Sequence, residues 1–167
     1  MPASATVLAI DPGITGAFCL LSRDHVLMLD DLPTHTSQRG RTAKIRAELD
    51  LHTLRERLTG CQAIGHCYLE QVDARPGQGV VSMFRFGQSL GALYGLLVGL
   101  ALPVSFVRPQ KWQKHHGIGP SPDAARQRAV QLYPKLAPML QQKRDQHRAD
   151  AVLMAAFGLA QSAPASD

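Results

Sequence analysis

Two apolar runs in this chain each stop on a single acid, and this pairing limits the fold more than any other feature. Thr6-Val7-Leu8-Ala9-Ile10 leads into Asp11, followed by the turn Pro12-Gly13; Ala63-Ile64-Gly65-His66-Cys67-Tyr68-Leu69 leads into Glu70. Short apolar runs bounded by turn residues read as buried strands, so both acids stand at strand ends. Far along the chain, His147 and Asp150 lie three apart at the start of an Ala-rich apolar segment, which puts them on one face of a helix. Acids on strand ends and at a helix start can converge without being neighbours in sequence. Such a cluster repels itself unless divalent cations neutralise it, a pattern that suits metal-dependent phosphate chemistry.

The rest of the composition fits a polyanionic partner. The chain has 167 residues with a formal charge of +5, and from Arg108 to Arg148 there are nine Lys or Arg against two acids, Asp123 and Asp145. A basic lobe beside a carboxylate cluster points to a nuclease. With 45% hydrophobic residues, the chain can bury a sizeable core, and we expect one domain over 1–161 with a frayed tail at 162–167. Cys19, Cys61 and Cys67 are odd in number and lack a CxxC spacing, so they read as free thiols in a reducing compartment. No basic segment followed by an apolar one opens the sequence, and the expected location is cytoplasmic.

The uncharged stretch from Phe86 to Val107 holds Gly87, Gly91, Gly95 and Gly99 at four-residue spacing, a pattern also used by membrane helices. Pro103 divides it, however, and Val104-Ser105-Phe106-Val107 then reads as a short strand, so no membrane association is expected. Each glycine costs about 1 kcal/mol of helix propensity relative to Ala, which close packing against the sheet or across a dimer interface must repay.

Along the chain, residues 5–10, 15–22 and 25–30 read as three strands joined by hairpin turns. A polar loop is expected over 33–41. Ile45, Leu49, Leu51, Leu54 and Leu58 form a helical stripe ending at Gly60. A strand over 63–70, a helix over 80–101 and a strand over 104–107 follow. Ser121-Pro122 makes an N-cap and N1 pair for a helix reaching Tyr133, and a last helix runs from about His147 to Gln161. This is an α/β chain with a mixed sheet flanked by helices.

With these residues in place, the sequence resembles the RuvC-type crossover junction endodeoxyribonucleases of the RNase H-like superfamily. The matching stretches are Ile10-Asp11-Pro12-Gly13 with Thr15-Gly16, Glu70-Gln71-Val72, Gly87-Gln88-Ser89-Leu90-Gly91, Leu102-Pro103-Val104, Val107-Arg108-Pro109-Gln110 through Gly117-Ile118-Gly119, and Arg148-Ala149-Asp150-Ala151. Together they cover about residues 6–160 in the family's order. The resemblance implies an RNase H-like fold with a five-stranded mixed sheet, strands one to three antiparallel, and helices on both faces. It also implies a homodimer that binds a four-way DNA junction and nicks two opposing strands symmetrically. The family's metal-binding positions fall on Asp11, Glu70, His147 and Asp150. His147 stands where an acid is usual, as in some members; Asp145, five before Asp150, points off that helix face. Asp73 occupies a place where many bacterial members carry a stacking aromatic, which leaves Phe84 or Phe86 as candidates for base stacking. The Thr15 turn and the 33–41 loop look more like the bacteriophage or organellar branch. An accessory branch-migration motor stays open as a further partner.

The expected reaction is phosphodiester hydrolysis with two divalent ions, Mg²⁺ or Mn²⁺, about 3.5–4 Å apart. Asp11 would bridge them, Glu70 and Asp150 would each hold one, and His147 would ligate or handle the water proton. An imidazole ligand suits Mn²⁺ better than Mg²⁺. Arg75, Arg108, Lys111, Lys114, Lys143, Arg144 and Arg148 are the candidate DNA-backbone contacts. His115 and His116 also read as phosphate contacts, His66 as a packed core residue, and Trp112 as part core and part anchor, with base stacking open. Two other functions stay open: a related nuclease acting on RNA or RNA–DNA hybrid, and a catalytically inactive junction-binding module.

Overall fold

The structure is a computed structural model and describes residues 6–23, 25–38, 44–61, 64–73 and 77–162. Its frame is a five-stranded sheet in the order β3-β2-β1-β6-β7. Strands β1 (Thr6–Asp11), β2 (Ala17–Ser22) and β3 (His25–Asp31) form an antiparallel meander, as the hairpin turns require. Strands β6 (His66–Glu70) and β7 (Val104–Val107) add parallel to the other side of β1. Parallel neighbours need crossover connections, and helices α1 (Leu51–Thr59) and α2 (Val80–Gly99) supply them.

Alternation along β1 sorts the core into two layers. Leu8 and Ile10 face a cluster with Phe18, Leu54, Leu58, Cys67, Leu69, Leu93 and Leu97, beneath α1 and α2. Val7 and Ala9 face the opposite cluster, built from Trp112 of α3 (Pro109–His116), Ala125 and Ala129 of α4 (Ala124–Leu132), and α5 (Gln146–Ser162). Asp11 shares the parity of Val7 and Ala9, and Glu70 that of Tyr68, which also packs on this second layer. Both acids therefore project to the side covered by α5. That helix buries Ala149, Ala151, Val152, Leu153, Met154 and Ala155, and its small residues let it lie close across β1 and β2.

Several boundaries differ from the sequence reading. Thr34–Ser37 and Arg46–Leu49 are not a loop and a helix start; they pair as an antiparallel ribbon, β4–β5, separate from the main sheet. The apolar stripe from Ile45 misled because Ile45 is 62% exposed and points away from the core. Asp50 sets the helix start instead, its side chain accepting from Thr53 N at 3.0 Å and from Thr53 Oγ1 at 2.8 Å. Similarly, Ser121 and Pro122 lie in a turn before α4, whose N-cap position is Asp123. Ser162 is the last residue of α5, not the first of a tail. Among the described residues no helix is long and apolar enough to cross a membrane.

The turn after β1 requires glycine at two positions. Gly13 has φ +135°, a conformation L side chains rarely adopt, and a Cβ on Gly16 would lie 2.2 Å from the Asp11 carbonyl oxygen. That clash is with backbone, which cannot swing aside. Gly16→Ala should therefore cost about 2–3 kcal/mol of stability, read as a lower urea midpoint with an unchanged slope.

Candidate active site

Parallel pairing of β1 with β6 sets Ile10 against Leu69, so the next residues, Asp11 and Glu70, leave the sheet side by side at its C-terminal edge. This is the edge at which open α/β sheets place their ligands. The N-terminal turn of α5 brings His147 and Asp150 over the same point. It is held there by a 3₁₀ turn, Lys143–Asp145, in which Asp145 accepts from Gln142 N at 2.7 Å. Asp145 is thus a buried capping residue, and of the two alternatives His147 is the one that reaches the acids.

Asp11, His147 and Asp150 each present a ligand atom within 4.8 Å of the others. His147 Nδ1 donates to Asp11 Oδ2 at 2.6 Å, and its Nε2 shares a hydrogen bond with Thr15 Oγ1 at 3.3 Å. Glu70 stands beside this set, its Oε1 accepting from Trp112 Nε1 at 3.1 Å. Asp150 Oδ1 accepts from Gln146 Nε2 at 2.9 Å. Gln146 Oε1 is buried without a partner among the described residues. A cavity of about 420 Å³ opens beside Asp150, lined in part by Gln113, Ile118, Pro120, Ser121 and Gln146.

The electrostatics are those of a site waiting for positive charge. Burial, and then the charge of Asp11, push Glu70 up to about 8, against the opposing bond from Trp112. The same two causes push Asp150 up to about 7, opposed by Gln146 and His147. The bond to Asp11 raises His147, with help from the other carboxylates and against burial. The protonated form of His147 is thereby favoured, which offsets the charge of Asp11. Three carboxylates and one imidazole form a mostly hard oxygen donor set, which suits Mg²⁺ or Mn²⁺, and the orphaned Gln146 oxygen is an acceptor available to an aquated ion.

The basic candidates divide. Arg108, Lys111 and Lys114 are exposed on or beside α3, which starts where β7 ends next to Glu70, and Lys143 and Arg144 are exposed just before α5. Arg148 is not free: its Nε and one terminal nitrogen donate to the two oxygens of Asp31 at 2.7 and 2.8 Å. Arg75 lies outside the described residues. Phe84 is 72% exposed, whereas Phe86 is half-buried against the Gly13 turn. His116 is buried, with Nε2 donating to Leu153 O at 2.7 Å, so it ties α3 to α5 and is not a phosphate contact. His66 is half-buried rather than core, and shares a hydrogen bond with Ser105. Trp112 is 1% exposed, which rules out base stacking in this conformation. Its contact to Glu70 and that of Gln146 to Asp150 were missed from the sequence. The helix spacing of Gln146 to Asp150, i to i+4, was the available signal for the second.

Comparison with known proteins finds likeness in fold over nearly the whole chain and in sequence over part of it. The fold is that of Thermus thermophilus RuvC. One solved structure, of that protein in complex with Holliday junction substrate, matches with a TM-score of 0.56 at 14% identity, covering 93% of this chain and 96% of that one. A second T. thermophilus RuvC structure matches with a TM-score of 0.53 at 16% identity, covering 94% and 96%. In sequence, the chloroplastic Holliday junction resolvase MOC1 of Chlamydomonas reinhardtii is 31% identical over 99 residues, 58% of this chain. The match spans 11% of that relative's length. No family model matches the chain.

The raised acids set a pH dependence for the metal-free protein. Below the ordinary range of a glutamate, Glu70 is protonated in both folded and unfolded chains and costs nothing. As pH rises from about 4.5 towards 8, the unfolded chain ionises first, so the folded state loses stability across that window. His147 acts in the same direction, because the stabilisation from its bond to Asp11 is lost as pH rises through its raised pKa. Glu70→Gln should therefore be about 1–3 kcal/mol more stable than the parent at pH 8 and equal to it near pH 4.5. Denaturant melts across this range, without divalent ions, measure the difference; parallel curves would contradict it.

Proposed function

We propose that this chain is a RuvC-type resolvase that cuts four-way DNA junctions by metal-dependent hydrolysis. The observation that carries this reading is the convergence of Asp11, His147 and Asp150 within 4.8 Å, beside Glu70, on a RuvC fold. Phosphodiester hydrolysis needs negative charge managed at the attacking and leaving oxygens. Divalent cations bound by Asp11, Glu70, His147 and Asp150 would lower the pKa of the attacking water and stabilise the leaving 3′-oxygen.

The side chains have distinct tasks. Asp11, the least exposed of the acids and in reach of both His147 and Asp150, would be the shared ligand. Glu70 and Asp150 close the set from either side, each oriented by a donor from its own surroundings. His147, bonded to Asp11 through Nδ1, would either complete the ligand set or accept the proton of the attacking water. Arg108, Lys111, Lys114, Lys143 and Arg144 border the site as phosphate contacts, and Phe84 is the free aromatic for a base at the junction.

A junction with two symmetric strands calls for two copies of the site. Helix α2 carries the surface for this: Tyr94 and Val98 are exposed, and a Cβ at Gly87, Gly91, Gly95 or Gly99 would meet nothing within 4 Å among the described residues. Glycines that cost helix stability without packing against any other described element are repaid by a second copy lying across them.

On an immobile four-way junction with Mn²⁺ or Mg²⁺, the protein should give paired, symmetric nicks, with linear duplex and RNA–DNA hybrid left intact. Asp11→Asn and Asp150→Asn should each lose at least about 100-fold in rate while still binding the junction. Preferential cleavage of the hybrid would move the protein to RNA processing. Lys111→Ala and Lys114→Ala should each reduce the log–log salt slope of junction binding by about 0.9. Val98→Asp should convert a dimer to a monomer in sedimentation velocity.

A further inference from the structure

We propose that Trp112 is a positioning residue of the cation site, fixing the Glu70 carboxylate through its indole N–H. The proposal rests on the reading of Glu70 as a cation ligand. Trp112 is the only tryptophan of the chain and is 1% exposed, so it is not available to stack on a base. Indole has one polar group and it can only donate. Here that donor is aimed at Glu70 Oε1, 3.1 Å away.

The fold places it there by a short route. Val107 pairs with Glu70 across β7 and β6, and Gln71 N donates to Val107 O at 2.8 Å. Arg108 is the N-cap of α3 and Pro109 is its first residue, so the helix begins immediately beside Glu70. Side chains of a helix lean towards its N-terminus, which carries Trp112 back over the strand end. The other end of α3 is pinned by His116, bonded to Leu153 O on α5, and by the left-handed Gly117 cap. The indole is thus held at both ends of its helix.

Glu70 needs such a partner. It is half-buried and repelled by Asp11 and Asp150, and a carboxylate in that position without a fixed donor is free to turn away from them. Partners of this kind orient ligating carboxylates, and their loss typically costs about 10–100-fold in metal affinity.

The test is Mn²⁺ binding to the full chain at one fixed pH, read from the free-ion electron paramagnetic resonance signal, for the parent, Trp112→Phe and Glu70→Gln. Phenylalanine keeps most of the apolar bulk and removes the donor. The expected result is about a tenfold or greater loss of Mn²⁺ affinity in Trp112→Phe, with melting and metal-free junction binding close to the parent. The lone indole should also report the ion directly, its fluorescence falling in step with Mn²⁺ occupancy in the unaltered protein. Parent-like Mn²⁺ affinity in Trp112→Phe, alongside a loss in Glu70→Gln, overturns the positioning role and leaves the cation site standing. Equal affinity in the parent and Glu70→Gln overturns the reading of Glu70 itself, and the proposal with it. If Trp112→Phe does not fold, the fluorescence titration decides: emission unchanged at full Mn²⁺ occupancy overturns the proposal.

Discussion

Everything at the candidate site follows from one strand pairing. When β6 joins β1 in parallel, with Ile10 opposite Leu69, the two chain segments that end in acids end at the same edge and on the same face. An antiparallel pairing would have sent Asp11 and Glu70 to opposite ends of the sheet. The parallel choice in turn demands helices over both faces, since β1 and its neighbours are apolar on each side. The pairing therefore determines the layers as well as the site, and α5 is the layer that completes both.

The arrangement carries a cost that the surrounding residues manage locally. Two carboxylates are forced towards their protonated forms by burial and by Asp11. Three donors answer this: His147 against Asp11, Gln146 against Asp150 and Trp112 against Glu70. Each comes from a helix, so the electrostatics of the strand ends depend on how α3 and α5 dock. The tie from His116 to the Leu153 carbonyl couples those two helices to each other. A site of this type trades folding stability for binding capacity, as sites for highly charged ligands generally do.

The strands of the main sheet and the two acids at their ends were legible in the sequence because each has a strong local signal, whereas the order of the strands was not. Apolar runs ended by an acid and a Pro-Gly turn are read in the same way from either direction. The ribbon was not legible: Thr34–Ser37 and Arg46–Leu49 are mostly exposed and polar, so neither presents a buried face whose period could be counted. The start of α1 was misplaced because Ile45 is apolar yet exposed, while the true signal, the Asp50 cap, is polar. The partners of Arg148, His116 and Trp112 were hidden for a different reason. Each belongs to a basic or aromatic stretch whose composition suggested DNA, and only the docking of α3 and α5 sets them against Asp31, Leu153 and Glu70, with Trp112 in the core as its part-core reading expected. Composition reports the charge of a segment but not which of its side chains the fold will use for itself.

The contact between Asp11 and His147 joins positions 136 apart in the chain. The first strand must therefore wait for almost the whole polypeptide before its acid has a partner. Contacts this distant close late, because the entropy of ordering the intervening chain is spent before they form. During synthesis, the acids of β1 and β6 are in place well before α5 leaves the ribosome, with no imidazole and no third carboxylate to complete a site. The chain thus acquires its constellation only once α5 has docked, and a product that stops before α5 carries the sheet edge without His147 and Asp150.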